Sequence, residues 1–424
     1  GPMHGIPVVL KDNIDTHDKM STTAGSRALA GSKPLQDSFV AKQLREAGAV
    51  LIAKANLSEW ANFRGDMSTS GWSGLGGLTK NPYILDRNTC GSSAGSGAAV
   101  SANLCVIAIG TETNGSIVCP STTNGIVGIK PTVGLLSRSG IIPISFTQDT
   151  AGPMARTVRD AAICLGAMVG EDEQDSKTLA SKGNFHTDYT QFLDKDGLKG
   201  KRLGHYNSYR GRHVKADKLM DETLEVLKNA GAEVIEIDRI SEPSVGRNSF
   251  TVMLYEYKDG LNKYFASLGP QGKIKNLEEL IAFNEQDSVE LRYFGQEYLK
   301  MAQEKGDLEN EEYKEALQTM LKGRREEGID KVMAEHNLDA FIAPTGGPAW
   351  KSDLINGDSF HIGSSSPAAQ AGYPNITVPM GFIDELPLGL SFFGTAWSEP
   401  ELIALAYGFE QTTQVRRAPK FLKP

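Results

Sequence analysis

One lysine and two serine-bearing turns are the groups in this sequence whose surroundings suit covalent chemistry. GIPVVLKDNI reads as a short apolar strand, Ile6 to Leu10, that delivers Lys11 at its end beside Asp12 and Asn13. In water a lysine amine holds its proton up to a pKa of roughly 10.4. Burial penalises the ammonium, lowers that value and can turn the amine into a base. A strand-end lysine can equally lay its stem on the surface and leave its charge in solvent. The second feature is CGSSAGSGAAVSANLCVIAIGTETNGSIVCP, residues 90–120, which has the small residues of a linker and the apolar content of a core. Gly91, Gly95 and Gly97 permit close backbone approach, and the run Val106 to Ile109 demands burial. Ser92 and Ser93 sit in its first turn and Ser116 in its second.

Gly91-Ser92-Ser93-Ala94-Gly95 also matches G-x-S-x-G, the nucleophile-elbow pattern, with Ser93 as nucleophile. An elbow follows a strongly apolar strand, whereas NPYILDRNTC is broken by Pro82, Asp86 and Asn88. It also needs a histidine base, for which His361, near Asp353 and Asp358, is the candidate. This Ser-His-Asp esterase reading is the weaker one.

The elements that must position these groups read as repeated helix-to-strand units. DSFVAKQLREAGAVLIAKAN offers Asp37 as an N-cap, Phe39, Val40, Leu44 and Ala47 on one helix side, Gly48 as a stop, then a strand through Ala53. VKADKLMDETLEVLKNAGAEVIEIDR repeats helix, Gly231 and strand, and EGIDKVMAEHNLDAFIAPT ends on an apolar strand from Ala340 to Ala343. Such alternation predicts an α/β fold, a central sheet covered by helices on both faces. The charged stretch Met301 to Asp330 reads as solvated helix faces. No solenoid repeat or low-complexity linker divides the chain, so one domain over 1–424 is expected.

Composition narrows the classes. The 424 residues are 40% hydrophobic and carry a net charge of −8, and the 44 Lys and Arg gather in no basic patch, so no nucleic-acid partner is signalled. Seven scattered histidines and four cysteines without CxxC spacing signal neither a metal site nor a disulfide framework. Four free thiols, Cys90, Cys105, Cys119 and Cys164, fit a reducing compartment, so a cytoplasmic location is expected. No apolar run reaches the ~20 residues of a transmembrane segment.

The sequence resembles the amidase signature family. GIPVVLKDN, LREAGAVLIAKANLSEWA, GSSAGSGAAVSA, GTETNGSIVCPS, GIVGIKPTVGLLSRSG, DTAGPMARTVRDAA, AGYPNITVPMG and LPLGLSFFGTAWSEPELI carry the likeness across nearly the whole chain. It implies the amidase signature fold, a twisted mixed central β-sheet with helices on both faces. It also implies a catalytic triad of Lys11, Ser92 and Ser116, the two serines standing 24 positions apart. Ser116 would attack an amide and form an acyl-enzyme, its proton passing through Ser92, on a cis peptide bond, to Lys11. Ser93 would support the lysine. The backbone N–H groups of Thr113, Asn114 and Gly115, with that of Ser116, would form the oxyanion hole. No metal or organic cofactor is implied.

Many family members read DTGGSIR around the nucleophile, where this chain has ETNGSIV, with Glu112, Asn114 and Val118 at the altered places. Together with EWANFRG, SGWSG, ISFTQDTAGP and GTAWSEPE, these resemble the bacterial peptide amidase branch, which releases ammonia from C-terminal carboxamides of peptides. The amidotransferase A-type glutaminase subunit shares the serines and lysine and ranks second. The family's N-terminal helical segment is expected ahead of Lys11 and is not found there in this sequence.

Overall fold

The computed structural model describes residues 1–424. Its strands are β1 (Pro7–Lys11), β2 (Val50–Ala55), β3 (Trp72–Ser73), β4 (Gly77–Leu78), β5 (Ile107–Glu112), β6 (Val127–Lys130), β7 (Thr150–Ala155), β8 (Arg202–Tyr206), β9 (Glu233–Ile237), β10 (Ala340–Pro344), β11 (Asn375–Ile383) and β12 (Leu386–Phe393). Ten of them form one mixed sheet in the order β2-β1-β5-β7-β6-β11-β12-β10-β8-β9, and β3 pairs with β4 apart from it. β1 runs parallel to β2 and β5, and β8 parallel to β9 and β10; the ladders from β5 through β7, β6, β11 and β12 to β10 are antiparallel.

The helix-to-strand units fall where the sequence predicts them, with one change at a cap. Helix α1 (Phe39–Glu46) buries Val40, Ala41 and Leu44, and Gly48 reverses the chain at φ +92° before β2. Its N-cap is Ser38 and not Asp37: the Ser38 hydroxyl accepts from the Ala41 N–H, while the Asp37 carboxylate accepts from the His17 N–H and the Arg45 guanidinium. One cation and a loop N–H thus engage the aspartate, and the serine takes the cap. β1 extends through Pro7–Lys11, so Lys11 is the last strand residue, and β10 begins at Ala340 as expected.

Helices cover both faces at the sheet's centre. On one face Ile107 and Ile109 of β5 pack in a cluster of 47 buried residues with Val158, Ala161 and Leu165 of α4 (Val158–Met168). On the other, Ala108 meets Val9 of β1 and Val100 of α2 (Ala94–Ser101). Every residue of β5 is buried, and α2 lies between α1 and a short third helix, α3 (Val118–Thr123), in chain order. This fully buried strand is the central support that the run Val106 to Ile109 calls for.

The charged segment is less solvated than its composition predicts. The helix Glu311–Arg324 carries its acids outward but buries Tyr313, Ala316 and Met320 against Val252 and Tyr255 of the long helix Val245–Ser267. That long helix also contributes Leu254, Tyr257, Leu261 and Phe265 to a second core with Trp60, Phe63, Ile142 and Ile144.

The small residues of α2 are required by contact. The Gly95 N–H donates to the Asn56 carbonyl, and a Cβ on Gly95 would lie 2.5 Å from that oxygen and 2.8 Å from the Asn56 nitrogen. Both atoms are backbone and cannot swing away. Gly95→Ala is therefore expected to lower stability by about 1–3 kcal/mol, read from urea unfolding; an unchanged midpoint would contradict this packing.

Candidate active site

β1 and β5 are neighbours, and their ends bring the chemistry together. Lys11 is fully buried, and its Nζ lies 2.7 Å from Ser92 Oγ, 2.7 Å from Thr111 Oγ1 and 3.1 Å from the Thr111 carbonyl oxygen. Burial lowers the Lys11 pKa to about 7, against the opposing pull of Asp149 and Glu112. Asn13, two residues on, donates from Nδ2 to Thr111 Oγ1 at 3.0 Å and fixes that hydroxyl from its other side.

The first serine turn precedes α2. Ser92 is fully buried, and the Gly91–Ser92 peptide bond is cis, as the resemblance implies. Ser93 does not touch the lysine: its hydroxyl donates to the Thr111 carbonyl at 3.1 Å and accepts from the Thr111 N–H at 3.2 Å. It thereby holds the same carbonyl that Lys11 uses. A Ser93 so enclosed is a poor elbow nucleophile, and His361 is exposed, its Nε2 2.9 Å from the Ser359 hydroxyl.

The second turn leaves the end of β5. Ser116, 9% exposed, is the most accessible of the three side chains. The two turns touch through the backbone, the Ser93 N–H donating to the Ser116 carbonyl at 3.2 Å. Glu112, noted in the sequence only as a departure, organises this turn: its carboxylate accepts from the N–H groups of Gly115 at 2.7 Å, Ile117 at 2.8 Å and Val118 at 3.0 Å. The Gly115 N–H is thus engaged inward, while those of Thr113, Asn114 and Ser116 donate to no protein acceptor. Gly115, at φ +86°, permits the curve.

Two further contacts set the walls of the turn. Thr113 Oγ1 donates to Asp149 at 2.5 Å, and Asp149 also accepts from the N–H groups of Ile144 and Ser145. Burial raises the Asp149 pKa to about 6, and these hydrogen bonds moderate the rise. Asn114 accepts from Ser365 at 2.7 Å and donates to Ser366 at 3.2 Å. Asp149 lies in the ISFTQDTAGP block; an acid beside a buried turn is the only sequence signal for its role.

The cysteines correct the expectation of four free thiols. Cys90 and Cys119 form a disulfide, Cα to Cα 5.8 Å, and only Cys105 and Cys164 are free, both buried. Cys90 stands two residues before Ser92 and Cys119 three after Ser116, so the bridge joins the two serine turns covalently. Twenty-nine residues separate them in sequence, which is why spacing gave no sign of the pairing.

A cavity of about 840 Å³ opens beside this assembly, lined by Asn13, Thr111, Thr113 and Asp149 on the side of β5 and its turn and by Ile142, Ile144 and Phe146 among its apolar walls. No cluster of His, Cys, Asp and Glu suited to a metal is found. No helix is long and apolar enough to cross a membrane.

Comparison with known proteins defines the class as an amide-hydrolysing enzyme. The amidase family model matches residues 1–403, and the chain belongs to the amidase signature family. It is 43% identical to a probable amidase of Arabidopsis thaliana, over 99% of this chain and 79% of that protein. The native peptide amidase of Stenotrophomonas maltophilia superposes with a TM-score of 0.94 at 50% identity, over 99% of this chain and 85% of that one. The A-type subunit of the glutamyl-tRNA(Gln) amidotransferase from a Cyanothece strain is 34% identical, over 97% of this chain and 85% of its own length.

The bridge gives a direct test. Thiol titration of the unfolded protein without reductant is expected to find two thiols, and four after reduction. By loop-closure entropy for this separation, reduction should lower stability by roughly 3.5 kcal/mol. Four thiols at the outset would contradict the pairing.

Proposed function

We propose that the chain hydrolyses C-terminal carboxamides of peptides to carboxylate and ammonia through a Ser-Ser-Lys relay, with Ser116 as nucleophile, working as one continuous domain. The observation that carries the reading is the 2.7 Å contact between buried Lys11 and Ser92. A neutral amine has two N–H bonds and one lone pair. Thr111 offers two acceptors, its carbonyl and its hydroxyl oxygen, so both N–H bonds are taken and the lone pair faces the Ser92 hydroxyl.

In this reading Ser92 gives its proton to Lys11 and takes that of Ser116, whose oxygen adds to the amide carbon. The N–H groups of Thr113, Asn114 and Ser116 stabilise the developing oxyanion, each such donor worth about 3–4 kcal/mol in the transition state. Gly115 serves by its conformation, since Glu112 holds its N–H. The proton returns from Lys11 through Ser92 to the nitrogen, the C–N bond breaks, and ammonia leaves. Water, deprotonated along the same path, releases the acid and restores Ser116.

The peptide substrate rests on two supports: the likeness to peptide amidase structures and a cavity of about 840 Å³ that begins at Thr113, a size typical of sites for extended organic ligands. The glutaminase-subunit reading is favoured only by the more distant amidotransferase relatives. The disulfide fits an oxidising compartment better than the cytoplasm expected from four thiols.

A serine-reactive phosphonate should label Ser116, located by peptide mass analysis; labelling of Ser93 would contradict the assignment. The kcat/KM profile should fall as pH drops through about 7, because below that value Lys11 is protonated and cannot accept Ser92's proton. Lys11→Arg, which keeps its proton throughout, should lose at least about 100-fold in kcat, the usual scale of general-base catalysis. Near wild-type turnover in that variant would refute the relay.

A further inference from the structure

The cavity beside Thr113 is lined by seven charged side chains, four aspartates, two lysines and one arginine. Six of them are already engaged. Asp15 accepts from the Tyr264 hydroxyl at 2.9 Å, and Asp149 is held by Thr113, Ile144 and Ser145. Arg138 and Asp175 form a two-pronged pair at 2.7 and 2.5 Å, and Lys263 meets Asp259 at 2.7 Å. The seventh, Lys177, makes neither a side-chain hydrogen bond nor an ion pair, although its backbone N–H donates to Asp175.

Desolvation disfavours the Lys177 ammonium most, the nearby Arg138 and Arg325 add to this, and Glu256 and Asp175 oppose them. The acids that oppose them are committed elsewhere: Asp175 to Arg138, and Glu256 to the Thr147 N–H at 3.1 Å and the Tyr313 hydroxyl at 2.8 Å. An exposed lysine without a side-chain partner on the wall of a ligand cavity is a cation that an anionic ligand group can pair with.

We infer that Lys177 is a specificity-determining residue that selects an acidic side chain in the peptide, upstream of the amidated residue. This rests on the peptide-amide reading above and adds the substrate's charge to it. A carboxylate on the substrate would pair with the ammonium on the wall of the cavity that Thr113 also lines, while the scissile amide lies at the serine turns. Such a contact exists equally in the bound substrate and in the transition state. It therefore acts on KM and leaves kcat alone.

The test compares N-acetylated tripeptide amides that differ only in carrying Glu, Gln or Lys at one of the two positions before the amidated residue, with ammonia release as readout. At one of those positions the wild-type protein should prefer Glu over Gln by about three- to fivefold in kcat/KM, the scale of a partly exposed ion pair. The preference should lie in KM and shrink at high salt. In Lys177→Gln the Glu-to-Gln ratio should fall to about one, and in Lys177→Glu the Lys peptide should overtake the Glu peptide. Because each ratio is taken within one protein, a variant's lost yield or stability cancels. A wild-type ratio near one at both positions, or a preference undiminished in Lys177→Gln, would overturn the inference while leaving the peptide amidase reading in place. No ammonia from any peptide, the Gln series included, would remove the reading and the inference with it.

Discussion

An amine withdrawn from water must find a polar partner for each N–H bond and for its lone pair, and in this protein the placement of Lys11 enforces that requirement. The last residue of β1 points into the seam between β1 and β5, where Thr111 supplies two acceptors and Ser92 a hydroxyl. A surface lysine would be solvated and cationic. Here the ammonium is disfavoured by burial and only partly restored by Asp149 and Glu112, which is the balance a base working near neutral pH needs.

The rest of the centre can be understood as what it takes to hold two turns against that amine. β5 is buried along its length between a parallel and an antiparallel neighbour, so its end is fixed on both sides. Asn13 and Ser93 grip Thr111 from opposite directions. Glu112 folds the Ser116 turn back on itself by gathering three N–H groups, and the Cys90–Cys119 bridge ties that turn to the one that carries Ser92. Small residues are the consequence: at Gly91 a Cβ would fall 2.1 Å from the Ser58 hydroxyl oxygen, and at Gly95 it would meet the Asn56 backbone.

Local pattern made the strand-end lysine, both serine turns and the helix-to-strand units legible, because each is encoded within a dozen residues. Features that depend on distant segments meeting were not. The cysteine pair spans 29 positions and has no sequence signature. The engagement of the Gly115 N–H by Glu112 required knowing how the turn curls, and the use of Ser38 in place of Asp37 as a cap depended on Arg45 and His17 competing for the aspartate. Ser93, expected to support the lysine, makes its hydrogen bonds to Thr111, a residue with no distinguishing mark in the sequence. The ten-strand order, in which β5 lies beside β1 and β7, was likewise invisible to periodicity.

The central claim is that Lys11 is neutral in the resting protein at slightly alkaline pH, and its own titration tests this most directly. In protein labelled with ¹³C at lysine Cε, the side-chain shifts can be followed against pH. Lys130, also fully buried, is expected to titrate near 8, so the Lys11 signal is assigned by its absence in Lys11→Met. The account predicts that this signal titrates at about 7. A Lys11 signal that keeps its protonated shift up to the ordinary lysine value of about 10.4 would contradict it.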